Sequence, residues 1–216
     1  MLKVGVKLPP ASGRIGDFLA DVTALEAAGA DSVWLPAGNA STAEPWILLG
    51  AIAGAAHRVR LGTMVDSAAG CAPALHSLAR LTGGRIVVGI SPGPDLRQSL
   101  ELLRIPSSSQ PGPQILITCR SRDEADQAML LADGVTVPGG DEVVRELRAS
   151  QTGDSDFELW AEISIPPDRA GWVQTMSAYE AAGATGIILS WDPRIVDLLR
   201  SAGEQDDRTD LLIATG

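Results

Sequence analysis

RVRLGTMV (Arg58–Val65) and LTGGRIVVGISPG (Leu81–Gly93) decide the fold. In each, an arginine stands just ahead of a β-branched run, and the run closes on small or special residues. A strand that stops on Gly, Ser or Pro lets backbone approach a ligand at its C-terminal end. Between the two lies Ala72–Leu81, with helical period. The pair therefore reads as two successive strands joined by a helix.

The same rhythm runs outward in both directions. Predicted strands are Lys3–Leu8, Asp31–Pro36, Arg60–Val65, Arg85–Ile90, Ile115–Cys119, Gly134–Val137, Phe157–Ile165 and Gly186–Ser190. The helices between and after them are Gly16–Ala28, Glu44–His57, Ala72–Leu81, Asp95–Leu103, Arg122–Ala132, Asp141–Ala149, Asp168–Ala182 and Pro193–Ser201. Eight strand–helix units with near-continuous apolar strands predict a closed parallel (β/α)8 TIM barrel, at the short end of that fold's length. A doubly wound open sheet would bury the same strands, but the first turn, LPPASGRIG, lacks the G-x-G-x-x-G of that class. Asn39–Glu44, Pro106–Pro113 and Gln151–Asp156 are looser connectors, and none has the length of a domain linker. The reading is one barrel over residues 1–203 and a peripheral C-terminal tail over 204–216.

Composition narrows the function. The chain is 45% hydrophobic and 20% charged, as in globular proteins, and its formal net charge is −10. That charge opposes a nucleic acid or anionic membrane surface as partner, since both need a basic footprint. The longest apolar run, Pro45–Ala56, is too short to span a bilayer, and the start shows no leader pattern, so the expectation is a cytoplasmic protein. Cys71 and Cys119 form neither a disulfide framework nor a metal-ligand cluster, and no metal is expected.

In a barrel of this kind the site lies at the C-terminal strand ends. Alternation places Val4, Val6 and Leu8 against the helices and turns Lys3, Gly5 and Lys7 inward, with Lys7 near the mouth. On the seventh strand Leu159, Ala161, Ile163 and Ile165 pack outward and Trp160, Glu162 and Ser164 inward. Lys7 and Glu162 are then either ligand contacts or an interior ion pair, because an interior charge needs a partner. His57 ends the second helix and His76 lies within the third, so neither reaches the mouth, which argues against histidine acid–base catalysis. The turns SPGPD and CRSRDEAD offer glycine, hydroxyls and Arg120 or Arg122 at helix N-termini, where an anion is favoured. Ser121 or Asp123 acting as a helix cap explains the second turn equally well.

The order LEAAGADSVWLP, EPWILLGAIAGAAHRVRLGTMV, PALHSLARLTGGRIVVGISPG closely resembles the luciferase-like monooxygenase family, which includes bacterial luciferase and the oxidoreductases that use coenzyme F-420. The resemblance is dense from residue 3 to 93 and continues more thinly in LLADGV and AAGATGIILS. It implies a barrel that binds FMN or F-420 at its mouth, commonly as a dimer. It implies a cofactor site of Met64, Val65, Ser91, Pro92, Gly93, Arg120 and Ser121, with a non-prolyl cis peptide at Met64–Val65. The chain also departs from the family. Ala37 and Gly38, then Asn39, stand where many members carry Asp-His, and Pro94 replaces a carboxylate. The family's long insertion before the fifth strand shrinks to a connector, so the chain reads as a shortened, lidless member.

Trp46–Ala56 holds only apolar residues and glycine. A helix apolar all round must bury its outer face as well, which predicts a homodimer through helices two and three. Two functions remain. One is a flavin- or F-420-dependent oxidoreductase or monooxygenase acting on a small organic substrate, with Lys7, Asn39 and Glu162 as candidate catalytic residues. The other is a flavin- or deazaflavin-binding protein, or partner subunit, without turnover.

Overall fold

The computed structural model describes residues 1–11, 13–36, 45–104, 112–151 and 156–209. Eight strands alternate with eight helices in this order: β1 (Lys3–Lys7), α1 (Ile15–Ala28), β2 (Ser32–Leu35), α2 (Pro45–Ala55), β3 (Arg60–Val65), α3 (Ala72–Leu81), β4 (Ile86–Ile90), α4 (Leu96–Leu103), β5 (Gln114–Thr118), α5 (Arg122–Ala128), β6 (Gly134–Pro138), α6 (Asp141–Ser150), β7 (Glu158–Ile163), α7 (Arg169–Ala181), β8 (Gly186–Ser190) and α8 (Arg194–Thr209). Every strand pairs in parallel with its neighbours in chain order, and β1 closes on β8. The predicted (β/α)8 barrel is the observed fold.

The differences are at the ends. α5 stops at Ala128 rather than Ala132; beyond it the Leu131 N–H bonds the Ala128 carbonyl three residues back, a tighter turn than the helix. β7 loses one residue at its start and two at its end, where Pro166 and Pro167 follow and cannot donate to a ladder. α8 continues past residue 203 to Thr209, and 210–216 lie outside the described residues. Asn39, with Ala37 and Gly38, and most of the 106–113 connector lie outside them too.

Strand alternation splits the apolar residues into two cores. Val4, Val6, Val33, Leu61, Val88, Leu159 and their like pack outward on the helices in one large layer. Inside the barrel is a small cluster of Trp34, Val87, Leu116, Trp160 and Ile188, with Met64 against it. Two indoles fill a space that eight strands keep narrow, and glycine makes the room. A Cβ on Gly62 would fall within the Trp34 ring, and one on Gly186 within the Trp160 ring.

The N-terminal end of the barrel is closed by charge. Arg60 donates to Asp31 (2.6 and 3.0 Å), to Glu158 (3.0 and 3.2 Å) and to the Gln114 carbonyl (2.6 Å), and its guanidinium lies 5.2 Å from the Trp160 ring centre. Lys3 adds a 2.7 Å bond to Glu158, whose other oxygen accepts from Trp160 Nε1 at 2.8 Å. Burial raises the Glu158 carboxyl, but the bond from Lys3, the Arg60 charge and the Trp160 bond together hold it below its ordinary value. The arginines that head the two deciding stretches thus sit at the end away from the mouth. Arg60 bonds the interior charges, while Arg85 donates to the Val59 and Thr82 carbonyls.

Beside this floor, Glu26 of α1 accepts three consecutive backbone N–H groups, from His57, Arg58 and Val59, at 2.6–2.9 Å. This ties α1 to the turn entering β3.

Candidate functional site

At the C-terminal strand ends a cavity of about 360 Å³ opens between β1, β2, β3 and β8. Trp34 and Met64, the upper members of the interior cluster, form its floor, and Leu8, Pro36 and Trp191 form its sides. Trp34 donates its Nε1 proton down to Ser32 Oγ at 3.0 Å, so the indole offers carbon to the cavity. Lys7 and Ser190 are its polar lining, and Lys7 is the one charged residue lining it among the described residues.

Lys7 Nζ lies 2.6 Å from Glu162 Oε2, with each side chain about one-third exposed (33% and 30%). The two stand on β1 and β7 and meet across β8, whose Ser190 is the register partner of Lys7 and whose Ile188 is that of Glu162. The interior ion pair is therefore present, and its lysine forms part of the cavity wall.

Met64 is fixed by a short hydroxyl chain. Thr136 donates to Thr118 at 3.0 Å, and Thr118 donates to the Met64 sulfur at 3.8 Å. Gly89 leaves the space that this sulfur fills. Period-2 alternation on QILIT and GVTVP would have turned both threonines inward, but neither was singled out from sequence.

The other expected cofactor residues lie elsewhere. Val65 is 7% exposed and belongs to the outer core, on the face of β3 opposite Met64. The Met64–Val65 peptide is trans, contrary to the expectation from resemblance. β3 keeps regular register through Met64↔Gly89 and Val65↔Ile90, and a non-prolyl cis bond would cost about 3 kcal/mol. Ser91 and Pro92 are half-buried and Gly93 exposed in the turn from β4 to α4, on the rim and outside the cavity lining.

Arg120 and Ser121 are exposed at the end of β5. Ser121 caps α5 by accepting the Glu124 N–H at 3.3 Å, while the Glu124 carboxylate accepts the Arg120 N–H at 2.7 Å. The helix start that could have held an external anion is filled by the chain's own carboxylate.

Among the described residues, neither histidine and neither cysteine lines the cavity. The His57 amide is bonded to Glu26 at the opposite end, and His76 Nε2 lies 2.9 Å from the Leu102 carbonyl. Cys71 and Cys119 are free and buried. Burial pushes both thiols up, Cys119 to about 12 with Glu124 adding to the shift. Among the described residues no cluster of His, Cys, Asp or Glu could hold a metal, and no helix is long and apolar enough to cross a membrane.

The architecture defines a parallel eight-stranded barrel with an apolar cavity at the C-terminal ends of its strands. Residues 2–100, β1 through most of α4, match the luciferase-like monooxygenase family. Over that stretch the chain is luciferase-like in sequence; over the remainder the likeness is one of fold. Among solved structures it is similar to an F-420-dependent secondary alcohol dehydrogenase in complex with an F-420–acetone adduct (14% identity, TM-score 0.72, covering 93% of this chain and 97% of that one). It is similar to a coenzyme F-420-dependent tetrahydromethanopterin reductase from Methanopyrus kandleri (11%, TM-score 0.69, 94% and 97%). A tryptophan synthase α-subunit from Pyrococcus furiosus is nearly as similar (10%, TM-score 0.65, 95% and 93%). At these identities the likeness is one of fold, and the third case shows how many chemistries that fold serves. No curated protein matches the sequence.

Proposed function

We propose that this chain binds a flavin or deazaflavin ring, FMN or F-420, in the mouth cavity, and that it serves oxidoreduction or monooxygenation of a small organic substrate. The carrying observation is the cavity itself, with an apolar floor of Trp34 and Met64 at the catalytic end of a barrel that is luciferase-like over residues 2–100. At about 360 Å³ it lies near the lower end of the range of about 300–1,000 Å³ for ligand pockets, so it suits a ring better than a ring with its whole tail. The ring, when bound, supplies the hydride or oxygen chemistry. The residues present do the rest. Trp34 and Trp191 offer flat apolar surface that orients a ring and excludes water on its sides. Thr136 and Thr118 hold the Met64 thioether in place. Ser190 and Lys7 give the polar edge that fixes orientation. Buried free thiols at Cys71 and Cys119 fit a reducing compartment, the cytoplasm.

The ion pair favours a second reading, ring binding without turnover or a role as partner subunit. Lys7 is already matched by Glu162, so the cavity wall holds no unpaired acid or base among the described residues. Titration with FMN and with F-420, followed by tryptophan emission and by cofactor fluorescence, tests both readings. Saturable quenching is expected from Trp34 and Trp191. Binding with turnover across an alcohol and aldehyde panel supports the enzyme, binding alone supports the carrier, and binding of neither ring removes both.

The assembly belongs to the same proposal. The outer face of α2 carries Ile47, 69% exposed, with Gly50 and Gly54 exposed along the same face, and α3 ends on the exposed Leu81. A second copy of this chain is the occupant we propose. The face holds no charge, and two glycines four apart let a facing helix approach closely.

A further inference from the structure

The chain contains two lysines, both on β1, both turned inward, and each bonded to a glutamate of β7. Four residues separate them, about 13 Å along a strand, which puts one at each end of the barrel. In the lower pair, Lys3–Glu158, the glutamate is also held by Arg60 and Trp160 and its side chain is 10% exposed, while Lys3 is 40% exposed. The upper pair, Lys7–Glu162, has no such company among the described residues, and its lysine lines the cavity. The same device is thus built twice, once with its glutamate buried in a structural cluster and once with its lysine on the cavity.

We infer that Lys7 tunes the electronics of the bound ring, stabilising its reduced form, and that Glu162 sets how strongly it does so. The inference rests on the ring-binding reading and goes beyond it. Adding two electrons and one proton to an oxidised flavin ring leaves it one negative charge richer. An ammonium in the wall of an apolar cavity favours that product, because low-dielectric surroundings screen the attraction poorly. Glu162 opposes it, holding a negative charge 2.6 Å from the same ammonium. The ligand class is therefore a flat ring that gains negative charge in turnover. The two partners have opposite effects, which a merely structural ion pair would not give.

The test is the midpoint potential of whichever ring the wild-type protein binds, read by equilibrium reduction against a reference dye. Lys7→Met is expected to disfavour the reduced form by about tenfold, a fall of about 30 mV for a two-electron couple. Glu162→Gln is expected to shift it by a similar factor the other way. The double variant, which buries no unpaired charge, is expected to lie between them, and with Glu162→Gln it carries the test if Lys7→Met fails to fold. Unmoved potentials in foldable variants, or Lys7→Met and Glu162→Gln moving the same way, would overturn the inference while leaving ring binding intact. Binding of neither FMN nor F-420 by the wild type would instead remove the ring-binding reading, and this inference with it.

Discussion

Replacing Arg60 by methionine is expected to destabilise the barrel without touching the mouth. Met keeps most of the apolar stem, so the loss isolates the guanidinium. That group makes two bonds to Asp31, two to Glu158 and one to Gln114, and it lies over Trp160. Its side chain is 19% exposed, and those of Asp31 and Glu158 are 23% and 10% exposed. Breaking a buried pair from one side costs about 3–5 kcal/mol, because the partner is left charged and unmatched. Here Lys3 still holds Glu158 and water still reaches Asp31, which brings the expectation to about 3 kcal/mol. For a chain of this size that is a fall of about 6–12 °C in Tm, at about 2–4 °C per kcal/mol. Urea and thermal unfolding followed by circular dichroism measure it. A double cycle with Glu158→Gln should return a coupling of about 1–3 kcal/mol, since the two groups are in contact. A loss below about 1 kcal/mol would refute the assignment of this cluster as the structural floor.

Three further outcomes are expected. Glu26 is raised by burial, but the three N–H bonds from Val59, Arg58 and His57 outweigh this and leave its carboxyl below the ordinary value of 4.5. A depressed native pKa adds stability that is present above the unfolded value and lost as pH falls through the native one. Unfolding titrations of wild type and Glu26→Gln should therefore differ at pH 6 and converge towards pH 3, and a constant difference would contradict the staple. Gly62→Ala drives a methyl group into the Trp34 ring, which Ser32 holds from below. A loss of about 1–3 kcal/mol with altered near-ultraviolet dichroism is expected, and an unchanged Tm would contradict the packing. Ile47→Lys should convert a dimer to a folded monomer in sedimentation, and a wild type already monomeric at micromolar concentration would dispose of the α2 interface.

Most of the fold was legible because strands buried on both faces advertise themselves as β-branched runs, and eight of them with helices between leave few topologies. The barrel interior was less legible, since it depends on register. Gly62 faces Trp34 only because β2 and β3 pair Trp34 with Gly62, and nothing in either strand alone announces that. The site shows the same division. Alternation correctly turned Lys7, Trp160 and Glu162 inward. Applied along β3, the same rule sends Val65 outward when Met64 faces in, although resemblance had grouped the two as one cofactor contact. Ser121 and Glu124 carry the S-x-x-E spacing of a capping box, which left the local reading of that turn sounder than the anion cradle.

The two ends of the interior explain why stability and chemistry can be separated in this chain. Below, Lys3, Arg60, Asp31 and Glu158 bring two positive and two negative charges together, so the net charge there is zero, and Arg60 and Glu158 each have several partners. Above, one lysine and one glutamate also sum to zero, but each has a single partner and about one-third of its surface open. Loss of a lower residue leaves a buried charge unmatched, and the penalty appears in folding. Loss of an upper residue leaves a charge that water or a ligand can reach, and the consequence appears in what the cavity binds. Trp34 and Trp160, in the interior apolar cluster, stand between the two layers. A Lys7 or Glu162 variant that keeps its Tm, beside an Arg60 variant that loses it, would be the direct sign of that separation.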